Sequence, residues 1–385
     1  MTAVRRLLTV GHSYVVAQNR RLAHEMAKVG KGRWDITVAS PRFVRGNLRS
    51  IPFETIADEA SHVRTFPMYL SASPHFSFYS RSLRDLVRAN WELVHVWEEP
   101  YVTAGFQVCR WVRPDVPLVF WTMQNINKWY PPPNSWFEKY CLGKCRGWEA
   151  GGQTIAETLV SRGYTKRPHR VISLGVDLEA FRADTAVRET TRRQLGWEVS
   201  GPPVIGYSGR FTPEKGVSSL MQSLDALATP WRALFVGGGR LESQLRRWAN
   251  RYSDNRVKIV TKVPHDCVPN YLRAMDVLAA PSQTTARWRE QFGRMLIEAM
   301  ACGVPVVGSS SGEIPYVLGE SGVVLSEVDV AAWTATLGEL LDSPQRRLTL
   351  AKLGLQRVKT EYAWPIVADR HLDFFDELLE NRYSG

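Results

Sequence analysis

The chain has 385 residues, 44% of them hydrophobic and 23% charged, and a formal charge of +11. That length exceeds one ordinary core and predicts two α/β-sized domains, while the composition excludes a disordered or fibrous chain. The charge is lopsided: residues 1–180 carry 24 Lys and Arg against 15 Asp and Glu, and residues 181–385 carry 25 against 23. A basic first half suits an anionic partner such as lipid head groups, a phosphorylated acceptor or nucleic acid; a merely soluble basic surface is the plainer alternative.

The opening "RRLLTVG" reads as a strand with a glycine exit, and "NRRLAHEMAKVG" as the helix after it. The apolar run of "MTAVRRLLTVGHSY" is a few residues long, too short for a signal peptide, and no stretch approaches the ~18 apolar residues of a membrane span. "WDITVASP", "WELVHVWEEP" and "PLVFWTMQN" continue as buried strands. The pattern weakens over 43–88, where aromatics and arginines mix, and "KWYPPPNSWFEKY" reads as a Pro-rich loop. After the strand, turn and linker of "HRVISLGVDLEAFR", alternation restarts: strands in "PPVIGYSGR", "WRALFVGGG", "RVKIVTKVP" and "DVLAAPS", helices in "GVSSLMQSLDAL", "LESQLRRWANRY" and "VPNYLRAM". Two doubly wound parallel sheets follow, and such sheets bind ligands at the carboxyl ends of their strands, so the expected site is the cleft between them.

Fourteen tryptophans fill cores or furnish clefts and membrane interfaces, core filling being the plainer reading. The five cysteines, Cys109, Cys141, Cys145, Cys267 and Cys302, form no C-x-x-C, and Cys141 and Cys145 lack the partners of a zinc set. Reduced thiols and a cytoplasmic location are expected.

Four turns in the second half carry chemistry. In "GYSGRFTPEKG" a strand exit brings the planar fork of Arg210 and the point charge of Lys215 to a helix start, an anion site in principle and a Gly-punctuated turn with two surface cations in the plainer reading. It is not a Walker A loop. "EQFGRMLIEAMACGVPVV" places a helix from Gly293 to the Gly303 stop, with Glu290 in the preceding loop and Glu298 in the second turn. The N–H groups of Phe292 to Met295 at that helix start can hold a phosphate. Glu298 is then no cap: one carboxylate faces sugar hydroxyls and the other takes the vicinal hydroxyls of a ribose. An ordinary first-turn charge and a solvated helix residue are the alternative, which the apolar setting "MLIEAMA" disfavours for Glu298. "FVGGGRLESQL" and "GSSSGEIPYVLGESGVV" add small-residue turns that let backbone approach a ligand.

Together the four turns describe a nucleoside diphosphate site with a sugar attached. The second half resembles the GT-B-fold retaining glycosyltransferases of family 4, whose pattern is G-R-x-x-x-x-K-G, then E-x-F-G, seven residues between glutamates, and E-A-M-A-x-G-x-P-V-V. Here it runs through Gly209-Arg210, Lys215-Gly216, Glu290, Phe292, Gly293, Glu298 and "EAMACGVPVV", and "SLGVDLEAF" resembles the family linker. The motifs lie within about 200–325, while the fold implied covers the whole chain. The resemblance implies two Rossmann-like domains facing a central cleft: an acceptor domain at 1–178, a donor domain at 179–363, and a helix over about 364–385 returning to the first. It implies that Arg210 and Lys215 hold the donor diphosphate, Glu298 the ribose and Glu290 the sugar, with Glu290, Arg210 and Lys215 catalytic. Gly209, Gly238, Val263, Phe292, Gly293, Arg294 and Met295 complete the expected donor set.

Transfer would proceed with retention, with no metal and no cofactor, from a nucleotide-sugar donor, UDP-linked in the first reading and GDP-linked in the second. The acceptor would be a polysaccharide precursor or lipid-linked sugar, and the basic first half would rest peripherally on the inner face of an anionic membrane. The first half departs from the family pattern: the loop after the first strand, "GHSYVVAQN", has only Gly11, and Gln124 of "WTMQN" stands where a histidine is expected. Glutamine hydrogen-bonds a hydroxyl but takes no proton near neutral pH, so the acceptor-side role is altered. Gly11, His12, His95, Gln124 and Asn125 are the acceptor-side candidates, with Glu98 and Glu99 beside them; a lone histidine on an apolar strand is more often a core residue. A sugar-nucleotide epimerase is the competing enzyme class, lacking an identified acid/base set. A nucleic-acid binder is the competing non-enzyme, supported by charge alone and set aside for want of a binding module.

Overall fold

The computed structural model describes residues 4–45 and 50–380. Residues 1–3, part of the 43–88 segment and the end of the helix expected to reach 385 lie outside the described residues. The chain divides into two compact units, Met1–Ser173 with Trp364–Gly385, and Leu174–Ala363. The division falls at 173/174 rather than 178/179, because the linker is tied to the second unit: Val176 N–H donates to Tyr362 O at 2.8 Å.

Unit 1 begins with β1 (Arg5–Val10), α1 (Ala17–Val29) and β2 (Trp34–Pro41). Two small hairpins follow in the segment where the pattern weakened: β3 (Phe43–Arg45) with β4 (Ser50–Pro52), and, after β5 (His62–Phe66), β6 (Met68–Tyr69) with β7 (Phe78–Tyr79). Then come α2 (Ser82–Val87), β8 (Leu93–Val96), α3 (Thr103–Trp111), β9 (Leu118–Thr122), α4 (Asn134–Lys144), β10 (Gly147–Ala150), α5 (Gln153–Ser161) and β11 (His169–Val171). The main sheet is parallel throughout, in the order β11-β10-β9-β8-β1-β2-β5. Strands β8, β9 and β10 are buried along their whole length, as strands covered on both faces must be. One expectation is corrected here. The Pro-rich stretch is loop only as far as Pro133; Asn134 opens α4, because the prolines end where a helix can start and the following "SWFEKYCL" turns Glu138, Cys141 and Leu142 inward.

Unit 2 runs α6 (Thr185–Gln194), β12 (Val204–Arg210), α7 (Val217–Asp225), β13 (Arg232–Gly238), α8 (Glu242–Ala249), β14 (Val257–Val260), α9 (Val268–Arg273), β15 (Val277–Ala280), α10 (Arg294–Ala301), β16 (Val306–Ser309), α11 (Ile314–Leu318), β17 (Val323–Leu325), α12 (Val330–Asp342) and α13 (Pro344–Arg357). Its parallel sheet has the order β14-β13-β12-β15-β16-β17. Strand order reverses between β12 and β15, and a crevice for ligands opens at such a reversal, outside the carboxyl ends.

The last helix, α14 (Trp364–Glu380), belongs to unit 1. Its buried face includes Val367, Leu372, Phe375 and Leu379. Trp34 Nε1 donates to Asp376 Oδ1 at 3.1 Å, Arg5 pairs with the same carboxylate, and Arg170 Nη2 reaches Glu377 Oε2 at 2.5 Å. Among the described residues no helix is long and apolar enough to cross a membrane.

Candidate functional site

The reversal in unit 2 brings two of the expected donor residues, Lys215 and Glu290, into contact. The loop leaving β12 carries Lys215 and the loop leaving β15 carries Glu290. Lys215 Nζ donates to Glu290 Oε2 at 2.5 Å, and Ser282 Oγ donates to the same oxygen at 2.8 Å. The Lys215 ammonium also stands 4.9 Å from the centre of the Trp288 ring. Both partners are largely withdrawn from solvent, so each needs the other.

The backbone holds these loops in place. Gln283 N–H donates to Glu214 O at 2.8 Å, and Ser309 Oγ donates to Ser282 O at 2.5 Å. Gly216, with φ +69, lies so close to the β15 exit that a Cβ would sit 1.7 Å from Pro281 O. Gly312, with φ +54, approaches from the β16 side, where a Cβ would sit 2.0 Å from Glu290 O. Only glycine supplies both the left-handed turn and the clearance. Gly238 joins from β13, its carbonyl accepting from Phe211 N–H at 2.9 Å, and Gly209 and Val263 lie at the β12 and β14 exits.

Glu298 occupies the second turn of α10, buried except for a small fraction, and its Oε1 lies 3.3 Å from His265 Nε2, which is half exposed. Phe292 is buried, and Gly293 caps the helix with Leu296 N–H donating to Gly293 O at 2.8 Å. Arg294 and Met295 form the first turn. Burial lowers the Arg294 guanidinium against the opposing pull of Glu298. Arg210 behaves differently from Lys215: it is 61% exposed and only approaches Glu214, at 3.9 Å. Arg240, at 3.6 Å from the same carboxylate, is a further exposed cation. Sequence reasoning missed Arg240, His265 and Ser282. Arg240 directly follows the glycine turn of "FVGGGRLESQL", but nothing in the sequence ties His265 to a glutamate 33 positions away.

In unit 1 the strand order also reverses, between β8 and β1. At the β1 exit, Gly11 packs against Trp97, and His12 lies beside Glu98: its Nδ1 is 2.5 Å from Glu98 Oε2 and its N–H donates to Oε1 at 2.5 Å. Tyr79 OH donates to Glu98 Oε1 at 3.1 Å. Burial pushes the His12 imidazole down, but the charge and hydrogen bond of Glu98, with Glu99 behind, raise it above its ordinary value. Glu99 accepts from Thr122 Oγ1 at 2.5 Å and from Met123 N–H at 2.8 Å, and burial lifts its carboxyl to about 7.

Gln124 and Asn125 are almost fully buried, Gln124 N–H donating to Thr122 Oγ1 at 3.2 Å. His95 is a correction. Its side chain has no solvent exposure and lines no ligand surface, because β8 is a central strand and α14 covers that side. His95 Nε2 is 3.2 Å from Glu149 Oε2, and Glu149 Oε1 is 2.8 Å from His371 Nδ1. The ligand-type atoms of these three lie within 4.8 Å of one another, the one such set among the described residues. Burial lowers both imidazoles, His371 to about 3, and raises the Glu149 carboxyl. The trio is a buried polar cluster, and its Glu149–His371 hydrogen bond ties α14 to the sheet.

The profile described as "Glycosyl transferases group 1" matches residues 202–343, and that of "Glycosyltransferase Family 4" matches 15–180. The chain belongs to family 4, group 1, of the glycosyltransferases. This family member is 36% identical over 203 residues to a GDP-mannose-dependent monoacylated alpha-(1-6)-phosphatidylinositol monomannoside mannosyltransferase of Corynebacterium glutamicum, over 51% of this chain and 53% of the relative. It is 31% identical over 226 residues to a D-inositol 3-phosphate glycosyltransferase of Xylanimonas cellulosilytica, over 55% and 52%. The chain thus spans about half the length of the curated relatives it matches. Among solved structures it superposes on Anabaena HepE in complex with UDP and glucose, with TM-score 0.73, 18% identity, and coverage of 97% of this chain and 100% of that one. It superposes equally on sucrose-phosphate synthase from Thermosynechococcus elongatus, with TM-score 0.73, 18% identity, and coverage of 98% and 100%. These matches establish the GT-B fold with its two Rossmann-like units.

Proposed function

We propose that this glycosyltransferase moves a sugar, with retention and without a metal, from a nucleoside-diphosphate sugar held by unit 2 to a lipid-linked, inositol-type or other glycan acceptor held by unit 1. The observation that carries the reading is the Lys215–Glu290 pair at the β12/β15 reversal, set beside the first turn of α10 and Glu298. A departing diphosphate gains negative charge as the glycosidic bond breaks. Lys215, Arg210 and the N–H groups opening α10 offer fixed positive charge to it. Because residues already present supply this charge, the chemistry asks for no divalent ion, and activity that survives EDTA is expected. Glu298 suits the two ribose hydroxyls, and Glu290 suits donor-sugar hydroxyls once the diphosphate takes over Lys215.

For the donor base, the name of the C. glutamicum relative favours GDP over the UDP of the first reading, and a GDP-linked, mannosyl-type donor is the leading reading. The UDP-sugar reading stands second, because the grip on diphosphate, ribose and sugar is the same for either base. Location at the cytoplasmic face of a membrane is part of the proposal.

Slow donor hydrolysis, screened across GDP-, UDP- and ADP-sugars with and without EDTA, tests it. Release of free sugar from a GDP- or UDP-sugar supports a transferase; conversion of the donor to its epimer would assign the competing enzyme class. An inverted anomer in the transfer product would remove retention.

A further inference from the structure

We propose that unit 1 docks on an anionic lipid surface through an aromatic and basic face formed by the 126–133 loop and α4. Trp129 and Trp136 are 77% and 67% exposed, the two most exposed aromatic side chains among the described residues. Exposed aromatic rings grouped on one face and rimmed by polar residues mark an interaction surface. On α4 the outward stripe is Trp136, Lys139, Tyr140 and Gly143, spaced as one helical face, while Glu138, Cys141 and Leu142 turn into the core. The Arg110 guanidinium lies 5.9 Å from the Tyr140 ring centre, and Lys128 Nζ lies 5.3 Å from that of Tyr130, beside Trp129. At the far end of the stripe Arg167 Nη2 donates to Gly143 O at 3.1 Å.

Charge selects the occupant. Residues 126–167 carry seven Lys and Arg against three acids. Two of those acids, Glu138 and Glu149, are buried, and Glu138 is paired with Arg162. The outward charge is therefore positive. Hydrated lysine ammonium groups are depleted from protein–protein interfaces but suit phosphate head groups, and tryptophan and tyrosine suit the boundary between head group and acyl chain. The loop carrying Trp129 also continues directly from the β9 exit that carries Gln124 and Asn125. A membrane-borne acceptor would arrive on the side of the sheet where those residues lie. The inference rests on the proposed function in taking the acceptor to be membrane-borne.

The test is co-sedimentation of the full chain with phosphatidylcholine vesicles, with and without phosphatidylglycerol, at physiological salt. The wild type is expected to sediment only with the phosphatidylglycerol vesicles, and the W129S/W136S variant to partition at least about tenfold less. The K128A/K139A variant is expected to lose the preference for anionic vesicles. An unchanged thermal shift with GDP or UDP shows that each variant is folded. Wild-type protein that ignores anionic vesicles, or a W129S/W136S variant that sediments like the wild type, overturns the proposal. So does a wild-type dimer that W129S/W136S separates without any vesicle binding, which would give the face to a second copy. Vesicle binding in a protein that shows no nucleotide shift supports this proposal while failing the donor assignment of the proposed function.

Discussion

Lys215 and Glu290, 75 positions apart in the chain, are joined by a 2.5 Å hydrogen bond at the reversal of the unit 2 sheet. The cation assigned to the diphosphate and the acid assigned to the sugar neutralise one another. A donor must therefore take over both partners, and this gives the first prediction. Lys215→Ala should weaken nucleotide diphosphate binding roughly 10- to 100-fold, the worth of a charge-assisted contact. It should also lower stability by about 2 kcal/mol, since Glu290 is left buried without its cation. The double variant Lys215→Ala with Glu290→Gln should recover stability but not affinity. Calorimetric titration and thermal melting separate the two effects; full affinity in the single variant would end the diphosphate assignment.

Glu298 is assigned to the ribose, so its effect should depend on the ribose hydroxyls. The wild type is expected to bind a ribonucleoside diphosphate about tenfold more tightly than its 2′-deoxy analogue. Glu298→Gln should erase most of that difference while leaving the melting temperature within a few degrees. A preference that persists in the variant would move the ribose elsewhere.

The glycines at the loop junctions are not equivalent. Gly216→Ala and Gly312→Ala would drive a Cβ into Pro281 O and Glu290 O, each in a left-handed conformation, and should cost at least about 2 kcal/mol each. Gly238→Ala meets nothing within 4 Å and should cost far less. Denaturant titration of the three variants checks the order.

The Glu99 carboxyl gives a pH signature. Its folded value of about 7 lies above the ordinary 4.5, chiefly through burial, with Glu98 and Glu138 adding to it and the Thr122 and Met123 hydrogen bonds opposing it. Folding therefore favours the protonated form. Stability from this group is complete below about 4.5, falls as pH rises towards 7, and stays reduced above that. Glu99→Gln should remove a pH dependence on the order of 3 kcal/mol across that window, read as the difference between wild-type and variant melting curves. Identical pH profiles would contradict the assignment.

The fold was legible because its signals are local. Apolar runs marked β1, β8, β9, β12, β13 and β15, those of β1, β12 and β13 running out at glycine, and the helix-forming run between Gly293 and the Gly303 stop marked α10. What stayed hidden depends on pairing across long distances. The β6–β7 hairpin has strands of two residues, too short for any periodicity to show. His95 reads as an acceptor candidate because it sits near a strand end; its partners Glu149 and His371 lie far along the chain, the latter on a helix that joins unit 1 only after unit 2 is complete. Arg210 and Lys215 looked alike in the motif, yet one reaches into solvent and the other is held by Glu290, a difference set by the β15 loop.

Whether the unit 2 loops grip a nucleoside diphosphate through Lys215 is decided by calorimetric titration of GDP and UDP into the wild type and the Lys215→Ala variant in the presence of EDTA. Saturable one-to-one binding by the wild type to at least one of the two, weakened at least about tenfold by the substitution, is the predicted result. Equal binding by both proteins, or none by the wild type, would contradict it.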